Sequence, residues 1–187
     1  MSHPEFEIHQ GWLANCRHLS SPHCNPRPAG EISLLVVHGI SLPPDQFGGP
    51  WIDDLFLGRL DPTAHPYFAE IAGLEVSAHC LIRRDGSLTQ YVSFLERAWH
   101  AGRSCFMGRE ACNDFSIGVE LEGTDTTPYT EPQYQTLARL TRCLMAAYPL
   151  ITPARLVGHS EIAPGRKTDP GPAFDWSHLR MLLLDTI

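Results

Sequence analysis

The sequence predicts a single α/β domain. Its 187 residues fall within the usual size of one domain. Two apolar segments, 32–37 and 115–122, have the length and composition of strands, and residues 130–148 repeat apolar side chains at helical spacing. No repeat, linker or low-complexity tract divides the sequence. We therefore expect an irregular lead-in over residues 1–30 and one folded domain over residues 31–187.

The composition argues against several classes of protein. A content of 43% hydrophobic and 19% charged residues is ordinary for a soluble globular protein. The net charge of −7 argues against a nucleic-acid binder, which needs a basic face. No run approaches the roughly 20 apolar residues of a membrane span. The first ten residues lack the basic and apolar regions of a signal peptide. We expect a protein that is not exported and has no nucleic-acid or membrane partner.

The cysteines predict free thiols. No pair has the C-x-x-C spacing of a zinc knuckle or of a thioredoxin-type motif. A chain of this size without an export signal does not need disulfides for its stability. We expect reduced thiols, several of them in the core. The six positions are Cys16, Cys24, Cys80, Cys105, Cys112 and Cys143.

The first strand ends at a histidine. Residues 32–37 form a continuous apolar run that is typical of a strand buried on both faces. His38 follows at its carboxyl end, where α/β sheets commonly bind ligands. A single histidine there is more often a core or edge residue with a packing role. Short helices are expected within residues 51–60 and 67–73.

Two further strand patterns follow. Residues 76–83 and 87–93 flank Asp85-Gly86, which predicts a β-hairpin with a type I′ turn. Residues 115–122 alternate apolar and polar side chains, which places Glu120 and Glu122 on the same face of a strand. On a half-exposed strand both carboxylates would face water, so periodicity alone does not select either as functional.

Two helices are predicted in the second half. Thr130 and Gln133 form a capping box that starts the first, and Pro149 ends it. Residues 176–184 are expected to form a short final helix. The apolar face of the first helix consists of Tyr134, Leu137, Leu140, Leu144, Met145 and Tyr148.

Between these helices, residues 158–171 are rich in proline and glycine, which predicts a shaped loop. The loop presents His159, Lys167 and Asp169 together. The plain alternative is a surface turn with solvated charges. If His38 joins the loop, two neutral imidazoles and one carboxylate form a three-ligand zinc site with an open position. Two histidines and an aspartate alone are a weak signal, because many sequences contain them.

The remaining polar candidates complete a hydrolytic site. Glu120 would act as the general base that takes a proton from water and delivers it to a leaving amine. Lys167 would stabilise negative charge on the attacked carbonyl oxygen. Together these groups indicate metal-assisted hydrolysis of an amide.

The sequence resembles the AmpD-type N-acetylmuramoyl-L-alanine amidases, a zinc family related to phage lysozyme-type amidases and peptidoglycan recognition proteins. The resemblance covers about residues 11–180 in order. Its motifs are SLLVVH (33–38), ISLPP (40–44), VSAH (76–79), RAWHAG (97–102), CNDFSIGVELEGTDT (112–126), IAP (162–164) and RKTDPG (166–171).

The resemblance implies an α/β (α+β) zinc amidase domain with a central mixed sheet flanked by helices. It implies one Zn²⁺ per chain on His38, His159 and Asp169, with Glu120, rather than Glu122, and Lys167 as catalytic groups. The implied substrate is a small muropeptide of cell-wall recycling, cleaved between the lactyl group of (1,6-anhydro)-N-acetylmuramic acid and L-alanine. A cytoplasmic monomer is expected. The alternative is a muropeptide-binding module of the same fold without catalysis.

Further positions match the family around the cleft. The resemblance implies that Tyr67, Trp99, His100 and Asn113 line or support it, whereas His79 is expected to be structural.

The sequence also departs from the family. Gly39 stands where relatives often have asparagine, which puts substrate affinity in question but not metal binding. Glu75 and Ala111 stand where some relatives have basic residues, and Arg103 or Arg109 could substitute for them.

Overall fold

The computed structural model describes residues 6–184. Their strands are β1 (Ile8–His9), β2 (Trp12–Leu13), β3 (Arg17–His18), β4 (Cys24–Pro26), β5 (Leu34–Ile40), β6 (Cys80–Ile82), β7 (Leu88–Gln90), β8 (Glu96–Ala98), β9 (Cys105–Phe106), β10 (Arg109–Glu110), β11 (Ser116–Glu122) and β12 (Leu156–Gly158). The helices are α1 (Trp51–Phe56), α2 (Phe68–Ile71), α3 (Glu131–Ala147), α4 (His159–Ile162) and α5 (Trp176–Leu184). Short 3₁₀ turns occupy Cys112–Asp114 and Pro153–Arg155.

A mixed sheet forms the centre of the fold. Its strand order is β12-β5-β11-β6-β7-β3. The neighbours among β12, β5, β11 and β6 are parallel, whereas β7 runs antiparallel to β6. This architecture confirms the predicted mixed sheet flanked by helices. The parallel arrangement brings the carboxyl ends of β12, β5 and β11 to the same edge of the sheet.

Strand β5 is buried on both faces, as its apolar run predicts. Leu35 and Val37 point into the larger core cluster. Leu34 and Val36 point to the other side, where they pack in a smaller cluster with Phe115. The sheet therefore has no solvated face at its centre, and its polar side chains are removed from water.

Helix α3 covers the larger core cluster. Its capping box is present, since Gln133 N donates to Thr130 Oγ1 at 3.4 Å and Thr130 N donates to Gln133 Oε1 at 3.0 Å. Leu137, Leu140 and Leu144 are fully buried against the sheet. Helix α5 packs beside α3 through Leu179 and has the predicted bounds.

The hairpin between β6 and β7 is present, but its predicted turn type is wrong. A type I′ turn needs positive φ at both central residues, and here only Gly86 has it, at 82°. Gly86 N donates to Arg83 O at 2.8 Å, and Arg83 N donates to Ser87 O at 2.9 Å, which defines a three-residue loop. Asp85 Oδ1 accepts from Ser87 N at 2.9 Å and holds the longer loop.

The lead-in is more ordered than the sequence suggests. From residue 6 onward it contains four short strands, of which β3 joins the edge of the central sheet beside β7 and β4 pairs with β8. The irregular description of residues 1–30 is therefore wrong for this part, and residues 1–5 lie outside the described residues. Short pairings of two or three residues have no periodicity that a sequence pattern could reveal.

The thiols agree with the sequence analysis. Cys16, Cys24, Cys80, Cys105 and Cys112 are free thiols, and Cys80 and Cys112 are buried. Cys105 is exposed. Within residues 6–184, no helix combines the length and the apolarity that a bilayer crossing requires.

Candidate metal centre and catalytic cleft

The parallel strands bring the candidate ligands together at one edge. His38 lies near the end of β5, and its register partner on the adjacent strand β11 is Glu120. On the other side of β5, strand β12 ends at Gly158, and His159 follows as the first residue of α4. Because neighbouring strands lie about 4.8 Å apart, these three side chains share one small region.

His38, His159 and Asp169 form a compact triangle of ligand atoms. The Nδ1 atoms of His38 and His159 lie 3.0 Å apart. Asp169 Oδ2 lies 3.2 Å from the first and 3.1 Å from the second. Tetrahedral zinc with bonds of about 2.0 to 2.1 Å separates its ligands by about 3.3 Å. The three atoms therefore have nearly the spacing that one shared metal ion requires.

The opposite ring nitrogens of both histidines have partners. His159 Nε2 donates to Ala101 O at 3.2 Å, which leaves Nδ1 as the bare nitrogen facing Asp169. His38 Nε2 lies 2.9 Å from His100 Nδ1, and His100 Nε2 lies 3.0 Å from Ser116 Oγ. This chain of contacts allows His38 to donate from Nε2 and to keep its Nδ1 bare. Such outer contacts fix the tautomer of metal-binding histidines.

Electrostatics keep the triad ready for a cation. Burial lowers the pKa of His38 to about 4, so the imidazole is neutral at physiological pH. Burial by itself would raise the pKa of Asp169, but the close contacts of its Oδ2 atom with the His159 and His38 rings outweigh it and hold that pKa well below its usual range. Neutral imidazoles and an ionised carboxylate are the forms that bind a metal.

Glu120 is a buried carboxyl group with an unsatisfied oxygen. Its Oε2 atom has no hydrogen-bond partner among the described residues. Burial, together with the nearby Asp169 carboxylate, raises its pKa well above the usual value, while Lys167 acts in the opposite direction. An unpaired buried carboxyl is costly for the fold, and such groups cluster at catalytic sites.

The segment that carries two of the ligands is partly helical. Residues 158–171 were expected to form a loop throughout, which is wrong for the single turn of α4. Gly158 N donates to Glu161 Oε1 at 2.8 Å, which caps this turn. Pro164 comes after the turn has ended, so it does not oppose it. Ser160 N then donates to Asp169 O at 3.0 Å and ties the end of the segment back to α4.

An open cleft of about 500 Å³ lies beside Asp169, the member of the triad that contributes to its lining. We call it the catalytic cleft. Lys167 is exposed on its wall, and its ammonium has no partner among the described residues. Its lining consists of Gly39, Ser41, Asp45, Gly123, Thr124, Asp125, Thr126, Arg166, Lys167, Thr168 and Asp169.

The other candidates from the sequence have defined contacts. Asn113 Oδ1 accepts from the backbone N–H groups of His100 and Ala101 at 3.1 and 2.8 Å, so it fixes the segment that supports both ligand histidines. Trp99 Nε1 donates to Asn25 Oδ1 at 3.0 Å. Tyr67 precedes α2 and packs against a third apolar cluster. Substrate contact by these residues stays a prediction.

Sequence reasoning missed Arg27, which lies behind the site. Its buried guanidinium donates to Ser116 O at 2.7 Å and to Phe94 O at 3.2 Å. It also lies 3.1 Å from His79 Nε2. His79 is a structural residue, as expected, because its Nδ1 accepts from Gly118 N at 3.0 Å. No signal in the sequence indicated this role, because Arg27 lies between two prolines in the lead-in and outside every recognised motif.

Tyr129 is a second residue that the sequence did not reveal. It is buried, and its hydroxyl donates to Pro170 O at 2.9 Å, directly after Asp169. A Cβ atom on Gly39 would lie well inside contact distance of this hydroxyl. Glycine at position 39 therefore has a packing reason: the space beside the backbone is filled by Tyr129.

A buried carboxyl beside a triad of potential metal ligands, at the carboxyl edge of a mixed sheet, is the arrangement of a metal-dependent hydrolase. The chain belongs to the N-acetylmuramoyl-L-alanine amidase family, since the family model Amidase_2 matches residues 28–172.

Individual relatives agree with this family. The 1,6-anhydro-N-acetylmuramyl-L-alanine amidase AmpD of Escherichia coli strain K12 is 63% identical over 177 residues, which covers 94% of this chain and 96% of that protein. The crystal structure of a Se-Met AmpD derivative has a TM-score of 0.92 at 62% identity, with 95% and 99% of the two chains covered. AmiD of E. coli, solved with anhydro-N-acetylmuramic acid-L-Ala-D-gamma-Glu-L-Lys, is 29% identical with a TM-score of 0.61 and covers 95% of this chain and 65% of its own.

Proposed function

We propose that this chain, an N-acetylmuramoyl-L-alanine amidase of cell-wall recycling, hydrolyses anhydromuropeptides with the help of one Zn²⁺ ion. The scissile bond is the amide between the lactyl group of 1,6-anhydro-N-acetylmuramic acid and L-alanine. Relatives with 58% to 65% identity over most of their length carry this activity in their names. The observation that carries the zinc proposal is the triangle of His38, His159 and Asp169, with ligand atoms 3.0 to 3.2 Å apart.

The residues of the triad fit zinc. Two neutral imidazoles and a carboxylate are the ligand types of catalytic zinc sites, which keep a further position open. His38, His159 and Asp169 would hold the ion, and a zinc bound there would supply a water of lowered pKa and Lewis-acid polarisation of the substrate carbonyl. Ala101 and His100 hold the opposite ring nitrogens and keep the ligand nitrogens aimed at Asp169.

Glu120 serves as the general base and acid. Its unpaired Oε2 is free to accept a proton from the attacking water. The raised pKa of its carboxyl favours holding that proton until the nitrogen of L-alanine takes it and leaves as an amine. One group thus serves both proton transfers, and the products are the free anhydromuramyl acid and the free stem peptide.

Lys167 stabilises the oxygen of the attacked carbonyl. Its side chain lies on the wall of the catalytic cleft and has no hydrogen-bond or ion-pair partner in the part of the chain that the structure describes. A cation that is not neutralised within the protein can meet the negative charge that develops in the transition state. Asp169 is a ligand two residues further along the same segment, which keeps both groups in one region of the cleft.

Metal removal and readdition test this proposal. The purified chain is assayed on anhydromuramyl-tripeptide by mass spectrometry before and after exhaustive chelation. We expect cleavage to be lost on chelation and restored by one equivalent of Zn²⁺. Full activity of a preparation shown by elemental analysis to contain no metal would overturn the zinc proposal. The alternative of a binding module without catalysis has no support from these relatives, whose names are those of amidases.

We further propose that the chain acts in the cytoplasm as a monomer. The recycling function proposed for this chain favours an intracellular substrate pool. Fractionation of cells and light scattering of the purified chain test the two statements.

A further inference from the structure

A second cleft of about 350 Å³ adjoins the catalytic cleft. We call it the side cleft. It shares one lining residue, Arg166, with the catalytic cleft. The remaining lining residues are Arg103, Ser104, Cys105, Glu110 and the segment 162–164. Two arginines face one glutamate in this lining, so its charge favours an anionic group.

Arg103 differs from nearly all other cations of the chain. Among the described residues, every arginine and lysine except Arg103, Lys167 and Arg180 donates a side-chain hydrogen bond to another residue of the protein. Arg103 and Lys167 line the two adjoining clefts, whereas Arg180 lies on α5. Two of these three cations therefore line the two adjoining clefts.

The backbone that carries Arg103 is fixed on both sides. Arg166 Nη2 donates to Ala101 O at 2.6 Å and to Arg103 O at 2.7 Å. Ser104 is buried, and its Oγ donates to Gly102 O at 3.1 Å and accepts from Cys112 N at 3.2 Å. Because the backbone at Arg103 is held in place, binding a ligand there requires ordering of the side chain but not of the backbone.

Arg109 does not have this freedom. Its Nη1 donates to Glu31 Oε1 at 2.8 Å, and its guanidinium lies over the ring of Phe115 at 3.9 Å. Of Arg103 and Arg109, only Arg103 therefore has a guanidinium that makes no hydrogen bond or ion pair with another described residue.

We infer that Arg103 binds the free α-carboxylate of the second residue of the stem peptide, with that residue lying at the mouth of the side cleft. A glutamate joined through its γ-carboxyl, as in the ligand of the AmiD structure, keeps its α-carboxylate free. The inference rests on the proposed function and adds a residue that determines specificity for it.

The distances along the chain and along the substrate match. Ala101 O contacts the ligand His159, and Arg103 follows two residues later, which spans at most about 7 Å. From the scissile carbon to the α-carboxylate of the second stem residue, an extended peptide also covers about 7 Å. With its amide at the triad, the substrate can thus place this carboxylate within reach of the Arg103 guanidinium.

The test compares two anhydromuramyl-tripeptides that differ only at this carboxylate, one with the free acid and one with the carboxamide. The wild-type zinc enzyme is expected to prefer the acid by about fivefold in kcat/KM, mainly through a lower KM. The effect is small because the ion pair between Arg103 and the carboxylate is exposed to solvent. Arg103→Gln is expected to lose this preference without a change on the carboxamide substrate, and Arg103→Lys to keep part of it. Arg180→Gln is the matched control and is expected to behave as the wild type.

The outcomes separate the inference from the proposed function. Equal kcat/KM of the wild type on both substrates, or an unchanged preference in Arg103→Gln, would overturn the inference while the amidase function stands. A preference that responds only to amidation of the carboxyl terminus of the tripeptide would also overturn it. If the zinc-loaded wild type cleaves neither substrate, the proposed function itself is wrong and the inference falls with it.

Discussion

Glu120 and Glu122 give a matched pair for a single experiment. They lie two residues apart on the same face of β11, and both are buried. Glu120 Oε2 has no hydrogen-bond partner within residues 6–184, so Glu120→Gln removes a carboxylate without breaking a hydrogen bond of that atom. Glu122 instead accepts from Gly48 N at 2.6 Å, from Arg83 Nη1 at 3.1 Å and from Arg84 N at 3.3 Å.

We therefore expect Glu120→Gln to lose activity but not stability, and Glu122→Gln to lose stability. General base catalysis contributes about 10²- to 10⁴-fold, or about 3 to 5 kcal/mol of barrier, so we expect Glu120→Gln to lose that much in kcat. Its free energy of unfolding should equal or exceed that of the wild type, because a desolvated carboxyl is removed. Glu122→Gln should lose about 3 kcal/mol of stability, since it breaks a buried ion pair with Arg83.

The assay measures cleavage of anhydromuramyl-tripeptide by mass spectrometry, zinc content by elemental analysis and urea unfolding of each variant. Glu120→Gln should retain zinc. The reasoning is refuted if Glu120→Gln keeps more than a tenth of the wild-type kcat, or if it is destabilised as much as Glu122→Gln.

Three further predictions concern groups around the site. Burial, and secondarily repulsion from Arg27, lowers the pKa of His79 to about 3 in the folded chain. The pKa in the unfolded chain is near 6.5, so between these two pH values the unfolded chain binds more protons than the folded chain. Stability should therefore fall on acidification, by about 2 kcal/mol from this group between pH 7 and pH 5, and His79→Gln should show a shallower pH dependence in urea unfolding. Gly39→Ala should destabilise the chain by about 1 to 3 kcal/mol through contact with the Tyr129 hydroxyl, and Tyr129→Phe should relieve part of that cost; simple additivity of the two changes would count against the contact. Asn113→Ala should weaken zinc binding in a competition titration, because two backbone donors beside the ligand histidines lose their acceptor, and unchanged zinc affinity would exclude this supporting role.

The helices and the central strands could be predicted because each follows a regular pattern. The capping box at Thr130 and the apolar face that follows it define α3, and the run at 32–37 corresponds to a strand buried on both faces. The turn at Asp85-Gly86 was predicted with the wrong type because Asp85 forms a local hydrogen bond to Ser87 N, which a dipeptide preference does not contain.

The site was only partly accessible from the sequence. Periodicity placed Glu120 and Glu122 on one face of the strand. It could not show that Glu122 accepts three hydrogen bonds whereas Glu120 Oε2 accepts none from the described residues, because the donors to Glu122 come from distant segments of the chain. Family resemblance selected Glu120, and its catalytic role stays a prediction. Arg27 and Tyr129 escaped notice for the same reason, since their partners lie up to 89 residues away along the chain.

The most direct test of the account is the zinc content of the purified chain. We expect about one zinc per chain in the wild type and in Glu120→Gln, and a loss of that zinc in His38→Ala, His159→Ala and Asp169→Ala when the variants remain folded by circular dichroism. A folded His159→Ala variant with a full equivalent of tightly bound zinc would contradict the assignment of the metal to this triangle of side chains.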